Sequence, residues 1–359
     1  MEKEFYLDPN KVVQHFDITE FDARPLLAQF KYMSFEARNL YRLAEIYNKM
    51  LAEEKCTRIL AVAGSAPAAG CIDIIRDSIK FGLVDVFVGT GAVLVDMLFN
   101  ESLGAKHYQG SKFADDKELR KLGIDRIYDT YISEDELRVC DNTIKIICDQ
   151  IMVETGKNVF APHEFLNYMG KYLKENNLGE DTAIRLAYEK NIPLFCGAFS
   201  DCSAGFGFAL QKFLNPGKGI MIDTAQEFLD LTKCCLKGTL AGGPSGLFMI
   251  GGGVPKNFSQ DVVVCAEMLG YDMPMHKYTI QITVADERDG ALSGSTLKEA
   301  GSWGKVDPEN EQMVFCEATI GWPIATSYVY HTNPHRRLPA KDLAKWIRED
   351  GQLPAPEKQ

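Results

Sequence analysis

Residues 278–305 read YTIQITVADERDGALSGSTLKEAGSWGK. The stretch opens on a β-rich apolar run from Tyr278 to Val284, crosses a glycine turn at Gly290 and Gly294, and closes on Ser302-Trp303-Gly304-Lys305, with carboxylates at Asp286, Glu287, Asp289 and Glu299. An apolar run of strand length, then small residues, then a helical pattern is one unit of an alternating chain. Similar runs recur at Ile59 to Ala63, Val84 to Val88, Ile192 to Cys196, Gly219 to Ile222, Gly246 to Ile250 and Met313 to Cys316. Continuous apolar strands separated by helices build a parallel sheet covered on both faces, so the expected fold is a doubly wound α/β architecture.

Ligands of such sheets bind outside the carboxyl ends of the strands. Here those ends read Ala63-Gly64-Ser65, Gly89-Thr90-Gly91, Phe199-Ser200-Asp201, Gly251-Gly252-Gly253, Ala285-Asp286 and Glu317-Ala318, all small or acidic. Glycine turns that open helices bring backbone N–H groups onto a pyrophosphate. Tight αβ packing explains any single one of them equally well. Taken together they favour a nucleotide cofactor, held without the usual fingerprint: the first strand is followed by AGSAPAAG instead of GxGxxG, and no Walker A lysine motif occurs.

The rest of the composition narrows the class. With 359 residues and 46% hydrophobic content the chain can bury a large core. A net charge of -11 argues against nucleic-acid and anionic-membrane partners. No apolar run approaches the roughly 18 residues of a membrane span, and the N-terminus lacks a signal pattern, so a soluble cytoplasmic protein is expected. The ten cysteines lie mostly in apolar runs without a CxxC pair, which points to buried reduced thiols and to no metal site. The chain divides into an N-terminal arm (1–32), whose aromatics Phe5, Tyr6, Phe16 and Phe21 need burial, one large catalytic domain (33–335), and a C-terminal helix and tail (336–359) with peripheral prolines. Ser34 and Glu36 open a helix to Leu51; the charged region 104–190 reads as a helical layer, with Lys117 to Arg126 as an exposed helix face. His163 reads as a capping or packing histidine at a helix start. His331 and His335 lack a third ligand, and Arg336-Arg337 reads as a turn or an intersubunit contact.

Lysine nucleophiles act as the neutral amine, which an aromatic wall and little water favour. Trp303 beside Lys305 could be that wall; from spacing alone, a solvated lysine after a helix capped by Gly304 is the first reading and a nucleophile the second. The motif GALSGSTLKEAGSWGK changes that order. Together with the GGG-V-x-K turn at Gly251 to Lys256, Ser200-Asp201-x-Ser203 and Val84-Asp85-Val86 leading to Thr90, it resembles the deoxyhypusine synthase family, over about residues 11 to 330. The resemblance implies a Rossmann-like fold, NAD, a homotetramer with sites at the dimer interface, and a lysine that carries an aminobutyl imine. It assigns Lys305 as that nucleophile, Trp303 as an apolar and cation–π face, and Glu299 as an ammonium anchor or proton carrier; Asp289, beside Gly290, could do either. Cofactor contacts fall by position on Gly64, Ser65, Thr90, Asp201, Gly252, Ala285 and Glu317.

The chain departs from that family's pattern where charge matters. Phe206 stands where the family has a carboxylate, Asn257 where it has a histidine, and Leu292 where it has an aspartate; of the paired glutamates near the second strand only Asp96 is acidic. A slot without these charges would desolvate a free polycation at high cost. The expected activity is therefore aminobutyl-type transfer to a free amine, giving a homospermidine-type product from putrescine or a guanidino analogue from agmatine. A true deoxyhypusine synthase acting on a protein lysine with spermidine, an NAD-dependent amine dehydrogenase and a catalytically weak regulatory subunit are the alternatives.

Overall fold

The computed structural model describes residues 3–333 and 340–356. His335, Arg336, Arg337 and the 335/336 boundary lie outside the described residues. Among the described residues, six parallel strands form the central sheet: β1 (Thr57–Val62), β2 (Val86–Gly89), β3 (Leu194–Phe195), β4 (Ser245–Ile250), β5 (Tyr278–Thr283) and β6 (Glu311–Phe315). Their spatial order is β6-β5-β4-β1-β2-β3, with Ile59 paired to both Val86 and Leu247, and Thr279 to both Leu247 and Glu311. This is the Rossmann order, and it reverses between β1 and β4.

Burial on both faces explains why the strands read as unbroken apolar runs. In β1, Leu60 and Val62 join one core cluster while Ile59 and Ala61 join the other, as the two-residue period of a strand requires. Helices α1 (Phe35–Ala52) and α6 (Ala318–Thr332) bring Leu43, Tyr47 and Trp322 to the first cluster; α3 (Thr224–Leu240) brings Cys234 and Cys235 to the second. All ten cysteines are free. Ser34 is the N-cap of α1 but makes no side-chain cap bond, and Glu36 instead accepts the Phe315 N–H at 2.8 Å, tying the helix to β6.

Three expectations need correction. The run at 219–222 contributes only Met221–Ile222, which pairs in parallel with Val159–Phe160 outside the main sheet; the Pro216-Gly217 turn before it leaves too little extended chain. Region 104–190 is not purely helical. His107–Gln109, Thr130–Ser133 and Ile124–Ile127 form an antiparallel sheet over a satellite core of Tyr6, Tyr108, Leu119, Ile124 and Tyr131. The charged helix accordingly stops at Leu122, where Gly123 turns left-handed with φ +65°, and Arg126 lies on a strand. The tail is docked and not peripheral: Leu343–Glu349 is a helix with Leu343 buried, Lys341 Nζ donates to the Cys56 carbonyl at 2.6 Å, and Tyr271 donates to the Pro354 carbonyl.

The N-terminal residues lie over the segment that follows β1. Phe16 N–H donates to the Gly70 carbonyl at 2.8 Å, and the rings of Phe16 and Phe21 meet edge to face at 5.7 Å. His163 is buried at the start of Pro162–Glu175 and bonds Glu227 through Nδ1 at 2.6 Å. His331 Nε2 meets the Ile18 carbonyl. Among the described residues no helix is long and apolar enough to cross a membrane.

Candidate active site

Helix α4 (Gly253–Gln260) leaves the carboxyl end of β4 at the point where the strand order reverses, and α5 (Leu297–Ser302) lies beyond it in the chain. Between β5 and α5 the chain makes a short 3-10 turn at Glu287–Asp289, turns left-handed at Gly290 with φ +72°, and passes Gly294 so close to the Asp286 carbonyl that a Cβ there would come within 2.2 Å. Gly252 meets Ser293 in the same way, at 2.4 Å from a Cβ position, so both glycines are required for the loop to lie against the strand end.

The SWGK segment is built by helix termination. Thr296 caps α5 by accepting the Glu299 N–H at 3.1 Å. At the other end Gly304 N–H reaches the Gly301 carbonyl and Lys305 N–H the Ala300 carbonyl, with Gly304 at φ +71°. This is a Schellman motif, with the left-handed glycine just past the capping residue Trp303 and the lysine next. The Lys305 carbonyl then accepts the His276 N–H at 3.0 Å, so the lysine backbone is held from both sides.

These elements enclose a cleft of about 770 Å³, lined by Asn257, Asp261, Leu292, Glu299, Trp303 and Lys305 with apolar neighbours that include Phe228, Val264 and Met268. Five sequence-predicted residues thus meet in one place. Lys305 Nζ lies 5.2 Å from the Trp303 ring centre and 2.5 Å from Asp261 Oδ1, and Asn257 Nδ2 donates to Asp261 Oδ2 at 2.7 Å. The Lys305 side chain is 12% exposed, whereas Trp303 and Glu299 stand at the exposed rim.

The remaining predicted residues fall elsewhere. Asp289 and Gly290 are exposed in the turn, where the Asp289 carboxylate accepts the Ala291 N–H. Asp96 lies in Ala92–Phe99 beyond β2, accepts the Ser203 N–H at 2.8 Å, and is pushed above the usual carboxylate range by burial. Phe206 is exposed on α2 (Ser203–Leu214). Neither lines the cleft. Gly64, Ser65, Thr90, Asp201, Gly252, Ala285 and Glu317 all follow carboxyl ends of sheet strands. Gly64 and Gly253 are left-handed with open space where a Cβ would stand, the Ala285 N–H is held by Thr283, and Glu317 caps α6.

Two important residues were not singled out from sequence. Asp261 follows Asn257 by four residues, the spacing of one helix face, which was the available signal. Lys256, visible only as the end of the GGG-V-x-K turn, is fully buried; its Nζ donates to Gln281 Oε1 at 2.9 Å and to the Ser295 carbonyl. Gln281 in turn donates to the carbonyls of Gly251 and Ser293. Burial, opposed by the Glu299 charge, brings Lys256 down to about 8.

The deoxyhypusine synthase family model matches residues 25–329. A "Deoxyhypusine synthase-like protein" of Chlorobaculum tepidum is 50% identical over 92% of this chain and 93% of its own length. One from Coxiella burnetii is 50% identical over 89% of each chain. A crystal structure described as that of a candidate deoxyhypusine synthase from Entamoeba histolytica superposes with a TM-score of 0.58 over 95% of this chain and 100% of that one; at 17% identity it speaks to the fold alone. The chain belongs to the deoxyhypusine synthase family.

Proposed function

We propose that the protein is an NAD-dependent aminobutyl-type transferase that carries its group as an imine on Lys305 and delivers it to a free amine. The observation that carries the reading is the placement of Lys305: a scarcely exposed lysine, fixed by a helix-terminating turn beside the Trp303 ring, at the wall of a mostly apolar cleft. The apolar lining suits an aminobutyl chain, and Leu292 and Asn257 put no charge where a longer polycation would need one. The substrates proposed are putrescine, giving a homospermidine-type product, and agmatine, whose planar guanidinium stacks on Trp303.

The residues at the reversal of strand order fit a dinucleotide, since Gly64 and Gly253 present backbone unobstructed by side chains. Gly64, Ser65, Thr90, Asp201, Gly252, Ala285 and Glu317 would hold it. NAD bound there would supply a hydride acceptor for the carbon beside the substrate nitrogen and the hydride for the final reduction. The chain does the remainder. Neutral Lys305 Nζ attacks the carbon of the oxidised amine, the first nitrogen leaves as ammonia from putrescine or agmatine, and the acceptor amine then displaces Lys305 by the reverse step. Glu299 at the rim anchors an ammonium or moves a proton, a role also open to Asp289. Asp96 and Phe206 would meet substrate only across an interface, consistent with a proposed homotetramer whose sites lie between paired subunits. We propose a cytoplasmic location.

The reading is tested by incubating the protein with NAD and putrescine, agmatine or spermidine, then identifying products by mass spectrometry. A homospermidine-type or guanidino product is expected. Better turnover of spermidine onto a protein lysine would assign a true deoxyhypusine synthase, hydride transfer without group transfer a dehydrogenase, and no reaction a regulatory subunit.

A further inference from the structure

The wall of the cleft holds an ion pair that imine chemistry must first undo. An ammonium that donates to a carboxylate has no lone pair, so Lys305 in contact with Asp261 is not yet a nucleophile. We propose that Asp261 is an exchange carboxylate. It holds the Lys305 ammonium in the resting protein, and takes the ammonium or guanidinium end of the amine substrate in its place. The inference rests on the cleft being an amine site.

Charge and geometry carry it. Among the described residues lining the cleft there are two carboxylates, Asp261 and Glu299, and one amine, Lys305. With Lys305 on Asp261, one negative charge is left, at the exposed rim. A diamine charged at both ends needs two, and the second is present only if Lys305 gives up Asp261. The pair is built for such a change of partner. Asp261 keeps 30% of its side chain exposed, more than Lys305 does. Its other oxygen is fixed by Asn257, and its backbone N–H is held by the Asn257 carbonyl at 2.8 Å. The carboxylate therefore stays in place while one cation replaces another, which spares the incoming amine the cost of ordering its partner. No covalent bond changes in the exchange. The displaced Lys305 is freed from its carboxylate, so occupation of the site and release of the nucleophile from its ion pair become one event.

The logic is competitive and needs neither cofactor nor turnover. Putrescine binding is measured by titration calorimetry, without NAD, on the full-length protein and on Lys305→Met, Asp261→Asn and the double variant, with thermal unfolding to verify folding. Removing the competing ammonium should tighten putrescine binding about ten-fold in Lys305→Met. Removing the carboxylate should weaken it about ten-fold or more in Asp261→Asn, and the double variant should follow Asp261→Asn. Equal affinities in all four, weaker binding in Lys305→Met, or no binding to Lys305→Met would overturn the proposal. If Asp261→Asn does not fold, Lys305→Met decides alone. Competition for Asp261 without any group transfer would sink the transferase reading and leave this one standing.

Discussion

At the scale of single residues, the site depends on how one helix ends. Gly304 has open space around its Cβ position, so the cost of Gly304→Ala is conformational: a left-handed φ of +71° disfavours any L side chain by about 1–2 kcal/mol. Urea unfolding should show a loss of that size, accompanied by a larger fall in transfer activity because Lys305 follows directly. Leu292 lines the cleft, and a carboxylate introduced at its position would change the charge of the cleft directly. Leu292→Asp should raise the preference for spermidine over putrescine about ten-fold in relative kcat/KM, and an unchanged ratio would show that this side chain does not meet substrate. From the sequence, the proposed nucleophile role of Lys305 was legible only through the SWGK motif. Its partner Asp261 was not, because an aspartate at a helix end is ordinarily a solvated residue and only the fold brings residues 261 and 305 together.

At the scale of elements, the Lys256–Gln281 pair fastens the 293–295 loop to β5 and to the end of β4. A lysine whose folded value is lowered to about 8, against an ordinary 10.5, binds fewer protons folded than unfolded between those values. Its burial therefore weighs against the folded state below pH 8, and that penalty is relieved as pH rises from about 8 to about 10.5. In thermal unfolding across this range the wild type should gain stability relative to Lys256→Met; a constant difference would mean that Lys256 does not titrate in the folded protein. The strands were readable because burial on both faces leaves them continuously apolar. The antiparallel sheet at 107–133 was not. Its strands are three and four residues long, edged with Gln, Asp and Arg, and stabilised by packing against Tyr6 from the far N-terminus, a contact with no local signature.

At the scale of the whole molecule, the sheet gathers the strand-end residues along one edge, while the loop after β5 and helix α4 flank the cleft that holds Lys305. Asp96 and Phe206 remain apart from it. Phe206 shares α2 with exposed Leu210, Phe213 and Leu214, spaced as one helix face. If the proposed assembly covers this face, Phe213→Asp should lower the sedimentation coefficient; an unchanged coefficient would place the interface elsewhere. The sequence pattern disclosed the fold class but not the reversal between β1 and β4, since strand order is a property of chain crossings and not of composition. The central claim, that Lys305 carries the transferred group, is tested most directly by borohydride trapping. The protein is incubated with NAD and putrescine, reduced, and its peptides weighed. The account predicts an aminobutyl adduct on Lys305 that disappears in Lys305→Ala; product formation without that adduct, or in Lys305→Ala, would contradict it.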